Sequence, residues 1–120
     1  MTKAQAINDF MNSFGMVAYP NTAVPDETVF PWITYSVGIG NPGEEPTDGT
    51  IQLWFHTDSE AVPNVKVEEL ARAIGLGGIL LPYDGGAIWV KRGTPWSVST
   101  TAQDDNSIKM RQLNITLEFL

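Results

Sequence analysis

His56 is the single histidine of the chain, and it is the first residue to test for chemistry. It stands in the run Leu53-Trp54-Phe55-His56, on the polar side of an alternating pattern and next to Trp54. A metal centre needs several converging ligands. A nucleophilic triad needs a serine on a shaped turn, and no G-x-S-x-G occurs. The chain has no cysteine, which excludes thiolate sites and disulfides. A partly exposed surface or interface histidine is therefore the expectation. Glu44, Glu45 and Asp48 supply carboxylates in a turn region, and Asp104 and Asp105 supply two more. Neither set has the alternating oxygen ligands and closing bidentate Glu of a calcium loop. Gly38-Ile39-Gly40-Asn41-Pro42-Gly43 matches G-x-G-x-x-G letter for letter. A phosphate loop must open a helix, however, and here Pro42 interrupts it while Glu44 and Glu45 follow. A hairpin turn is expected instead. Asn114-Ile115-Thr116 fits a glycosylation triplet but falls in mid-strand, so it reads as accidental. No catalytic residue, cofactor or metal is expected, and the chain reads as a non-enzyme.

The elements that carry these residues follow from pattern. The 120 residues fit one domain, 1–120, and 42% are apolar, which is globular rather than disordered. No apolar run approaches the roughly 18 residues of a membrane span. The start has no apolar block of a signal-peptide type, so a non-secreted protein is the expectation. Fourteen acids oppose seven bases, for a net charge of −7, and the bases are scattered. That argues against ordinary phosphate-backbone binding.

Thr2 with Gln5 makes a capping box before the apolar stripe Ala4, Ile7, Met11 and Phe14, which predicts a first helix closed at Gly15. Residues 16–31, with three prolines, read as irregular. Ile33, Tyr35, Val37 and Ile39 alternate with small or polar residues, as do Ile51, Leu53 and Phe55, predicting an antiparallel hairpin with a long loop. Residues 58–74 predict a second helix, capped by Asp58, Ser59 or Asn64. Two short strands are expected around Asp84-Gly85-Gly86, a turn sequence that tolerates positive φ. Residues 93–106 read as a long polar loop, of the kind usually functional. The predicted order is α-β-β-α-β-β-β. This is an α+β fold, with two helices on one face of a mainly antiparallel five-stranded sheet.

Two further patterns bear on partners. In the final stretch, Ile108 and Met110 are apolar at even positions, while Leu113, Ile115, Leu117 and Phe119 are apolar at odd ones. A change of phase predicts a bulge at Arg111-Gln112. It would let a strand of roughly 45 Å bend, its first half carrying Lys109 and Arg111 toward a neighbour. Trp32, Trp54 and Trp89 fall out of phase with the apolar residues around them. They form a partner surface, or else the second helix or long loops cover that face.

Pro31-Trp32-Ile33-Thr34-Tyr35, the run Leu53 to Ser59, the hairpin Asp84 to Val90 and the closing Ile115 to Leu120 together resemble one family. It is that of the small tail terminator, or tail completion (minor tail), proteins of long-tailed bacteriophages and prophages. The resemblance implies an α+β subunit of a homo-oligomeric ring, usually a hexamer, at the head-proximal end of the virion tail. Such a ring is assembled in the host bacterial cytoplasm. It stops polymerisation of the major tail tube protein and offers a surface to the head-tail connector proteins, while DNA passes without specific binding. It implies no cofactor and no membrane. Within that reading, Asn41, Glu44, Glu45, Asp48, Trp96, Asp104 and Asp105 are candidate partner or channel loop residues. Trp54, His56, Trp89, Lys109 and Arg111 are candidate subunit-interface residues. A head-tail connector or neck protein is the alternative. An acidic inhibitor or DNA mimic is a further one, disfavoured because the acids cluster in loops.

Overall fold

A reciprocal hydrogen-bonded cap starts the first helix. Gln5 N donates to Thr2 Oγ1 at 3.1 Å, and Thr2 N donates to Gln5 Oε1 at 2.7 Å. The helix, α1, runs over Lys3–Met11 and buries Ala6, Ile7, Phe10 and Met11. A 3-10 turn, Asn12–Phe14, follows and ends at Gly15, whose φ of 77° suits glycine. The computed structural model describes residues 1–102 and 105–120. The remaining elements are β1 (Val17–Pro20), β2 (Trp32–Val37), β3 (Thr47–His56), α2 (Ala61–Ile74), β4 (Ile79–Tyr83), β5 (Gly86–Ala102) and β6 (Asp105–Phe119).

The expectation of a five-stranded, mainly antiparallel sheet is corrected. Among the described residues the strands form one six-stranded mixed sheet in the order β1-β2-β3-β6-β5-β4, and the fold is α+β overall. The unforeseen strand is β1, which pairs parallel to β2 from Val17↔Trp32 to Pro20↔Tyr35. Four residues next to a proline carry too little alternation to be read as a strand. Their order comes from β2 and from Asn12, whose Oδ1 accepts from Ala18 N at 2.9 Å. The β2–β3 hairpin forms as expected, with Ile33 opposite Leu53 and Tyr35 opposite Ile51. So does the β4–β5 hairpin, which turns at Asp84-Gly85 with Gly85 at φ 96°.

Two more corrections concern the end of the chain. Residues 93–106 are not a loop in their described part: β5 and β6 continue through them as a long hairpin of 17 and 15 residues. The register shifts lie between β5 and β6 and not at Arg111-Gln112: a bulge in β5 falls between Arg92 and Ser97, and a second shift falls between Thr101 and Ala102, whose partners are Lys109 and Asp105. Gly93–Trp96 are accommodated opposite Asn114, between the pairs Arg92↔Ile115 and Ser97↔Leu113. Asn114 Nδ2 fastens this bulge by donating to Pro95 O at 2.7 Å. Meanwhile β6 pairs with β3 in unbroken register from Thr47↔Leu117 to His56↔Ile108, so Arg111-Gln112 is regular.

Burial in β6 alternates without a slip. Lys109, Arg111, Leu113, Ile115, Leu117 and Phe119 are all buried on one face. That face carries the core: Ile33, Ile51, Leu53, Ile88 and Val90 pack under Ile7 and Met11 of α1 and Leu70 and Ile74 of α2. Both helices thus cover the same side of the sheet. The start of α2 departs from the expected caps. Glu60 precedes its first residue, and no side chain caps it.

Candidate protein-docking face

With both helices on one side, the even-numbered residues of β2, β3 and β6 face the other side, together with the odd ones of β1. Trp32, Trp54 and Met110 lie in register across three strands, and His56 lies opposite Ile108. The indoles of Trp32 and Trp54 stack with centroids 5.7 Å apart and planes at 16°. Tyr19 meets Trp32 edge-on at 6.2 Å, and Phe30 lies 5.6 Å from the His56 ring. Beside this aromatic band runs a polar chain: Trp54 Nε1 donates to Thr34 Oγ1 at 3.0 Å, Thr34 Oγ1 donates to Gln52 Oε1 at 3.0 Å, and Gln52 Nε2 donates to Thr50 Oγ1 at 2.9 Å. The chain restrains the Trp54 indole before any partner arrives. Val17, beside Trp32 on the edge strand, is 56% exposed. Rigid aromatics with one polar handle are what protein interfaces favour.

The candidate residues divide between faces. Trp54 and His56 belong to this open face, and so does Asp48, which is a strand residue opposite Thr116 rather than a loop residue. Asp48 shares a groove with Thr50, Thr94, Asn114 and Thr116, one carboxylate among hydroxyls and an amide. Trp89 also faces this side but is occupied: its Nε1 donates to Gly77 O at 2.8 Å, and Lys91 Nζ sits 3.8 Å from its ring centroid. Trp96 lies in the β5 bulge, partly buried against the core, and is not a loop residue. Asn41 ties its loop to α1, accepting from Lys3 Nζ at 2.8 Å and donating to Glu44 Oε1 at 2.8 Å. Glu45 is exposed beside them. Asp105 opens β6 and accepts from the Ser107 backbone at 2.9 Å and from the Ser107 hydroxyl. Those bonds hold its carboxyl below the usual range. Asp104 lies outside the described residues.

Lys109 and Arg111 do not reach outward. They occupy core-face positions, 6% and 2% exposed, under the start of α2. Arg111 donates to Glu60 Oε2, and its Nε donates to Asn64 Oδ1 at 3.2 Å. Lys109 Nζ donates to Asn106 O at 2.6 Å and lies 3.5 Å from Glu60 Oε1. Hydrogen bonding from Arg111 is the main cause that holds the Glu60 carboxyl below its ordinary range, and the two positive charges add to it. The cluster is a clasp between α2 and the long hairpin. Glu60 carries no sequence signal for this role, because it pairs with a residue 51 positions away. Tyr19, Phe30 and Met110 also belong to the open face without having been singled out. Phe30 had one available sign, its place beside Pro31-Trp32.

Among the described residues no group of three or more His, Asp or Glu is placed to hold a metal ion. Compared with known proteins, the chain matches no family model and no curated protein. No helix of the described residues is long and apolar enough to cross a membrane.

Proposed function

We propose that the chain is a structural assembly protein of a phage tail, a terminator subunit whose ring caps the tail tube and receives the head connector. One observation carries the docking part of this reading: the sheet face opposite the helices has no helix on it and holds a half-buried aromatic band around stacked Trp32 and Trp54. With β6 straight, support for the ring comes from that face and from the resemblance of the sequence to tail terminator proteins. The net charge of −7 per copy is compatible with DNA passing a ring without being held.

The test is tail assembly in vitro from purified tube protein, with tube length scored by electron microscopy. Wild-type protein is expected to stop tube growth. The W54A variant, which empties the centre of the band, is expected to remain folded and to leave tubes overlong. Tubes of normal length with W54A, or growth unaffected by the wild type, would sink the proposal.

A further inference from the structure

Among the described residues the sheet presents three stretches of strand edge, and two are closed by the chain itself. On β1, Asn12 accepts from Ala18 N at 2.9 Å and donates to Ala18 O at 3.4 Å. Pro20 has no N–H, and its carbonyl accepts from Ala23 N at 2.9 Å. β4 is short, carries Pro82, and has α1 packed beside it. The third stretch, Ser97–Thr101 of β5, is different. β4 pairs with β5 only as far as Val90, so these residues have β6 on one side and no backbone partner on the other. Val98, Ser99, Thr100 and Thr101 are exposed. The stretch contains no proline and no charge, so it lacks the usual devices that keep an edge from pairing.

We infer that this edge pairs with the same edge of a second copy, antiparallel about a two-fold axis at Ser99. In that register Ser97 faces Thr101 of the other copy and Val98 faces its Thr100, so no like charges meet and hydroxyls lie opposite one another. Charge complementarity favours the same arrangement. The bulge compresses β5 so that Arg92 and Ser97 face Ile115 and Leu113, only two β6 positions apart. The residue after Thr101 of the other copy, Ala102, pairs with Asp105, where β6 begins at an exposed carboxylate. Each Arg92, which forms no ion pair among the described residues, therefore lies near the Asp105 end of the β6 strand of the other copy. The contact is isologous and leaves the aromatic face free.

Sedimentation velocity over a rising concentration series tests the pairing, using wild type, Ser99→Pro, Thr100→Pro and Arg92→Glu. Successive strand residues point their N–H groups to alternate sides. One proline therefore removes a donor to β6 and the other removes only an outward donor, and thermal melts identify which variant keeps its fold. The wild type is expected to double in mass with concentration, and the folded proline variant to stay monomeric. Arg92→Glu is expected to weaken association several-fold at low salt. A wild type that stays monomeric, a mass of about six copies in place of two, or a folded proline variant or Arg92→Glu that associates like wild type would overturn the inference. The pairing stands apart from the terminator reading: a dimer that fails to cap tubes supports the first and sinks the second.

Discussion

Replacing Arg111 by methionine separates what its stem does from what its charge does. Arg111 is 2% exposed and lies opposite Leu53 on β3, with Asn64 and Glu60 of the α2 start at its head. Its three stem methylenes, at about 0.8 kcal/mol each, are worth about 2.4 kcal/mol of burial. Methionine keeps most of that volume and removes a buried charge, whose desolvation commonly cancels its pairing energy. Glu60 has a side chain 63% exposed, so it returns to water when its partner is lost. Arg111→Met is therefore expected to stay within about 1 kcal/mol of wild type, whereas Arg111→Ala, which leaves a cavity, is expected to lose about 2–4 kcal/mol.

Urea titration at neutral pH measures both, with an unchanged slope as the check that only stability moved. A second readout is pH. Because the folded chain holds Glu60 below its ordinary value of 4.5, the unfolded chain binds that proton first as acid is added. The stabilisation is complete above about pH 4.5 and is lost as pH falls through the lower folded value. Arg111→Met removes the main cause, so its acid limb is expected to be flatter than that of wild type. Equal losses for Met and Ala, or an unchanged acid limb, would refute the clasp reasoning.

Two other substitutions probe the frame that holds the open face. Thr2→Ala removes the acceptor in the α1 capping box and is expected to cost about 1 kcal/mol in urea titration, with Thr2→Ser near wild type. Gly78 has φ 86°, and an added Cβ would lie 2.6 Å from both Val90 O and Trp89 Nε1. Gly78→Ala is expected to lose about 2–4 kcal/mol and to alter Trp89 fluorescence, since the same approach positions the indole against Gly77 O.

Local pattern was enough for the parts of the fold whose information lies within a dozen residues. The α1 cap, the Asp84-Gly85 turn and the β2–β3 hairpin are all legible in sequence. So is the outward direction of Trp32 and Trp54, because side chains alternate strictly along a strand. That no helix covers this face was not legible: the sequence left α2 and the loops as possible covers, and only the packing of both helices on the opposite side decided the matter. The sixth strand and the long β5–β6 hairpin were missed for a related reason. Val17–Pro20 and Ser97–Thr101 have weak patterns of their own and become strands through pairing with distant residues.

Lys109 and Arg111 give the clearest case. Two cations at odd positions looked like a change of phase, since buried charge without a partner is too costly to expect. The phase never changes. Glu60 and Asn64, brought from α2 across the chain, satisfy the charges, and no local reading of β6 can contain that partner. Periodicity is written in neighbouring residues; the neutralisation of a buried charge and the closing or opening of a sheet edge depend on residues far along the chain, so they are settled only when the chain folds.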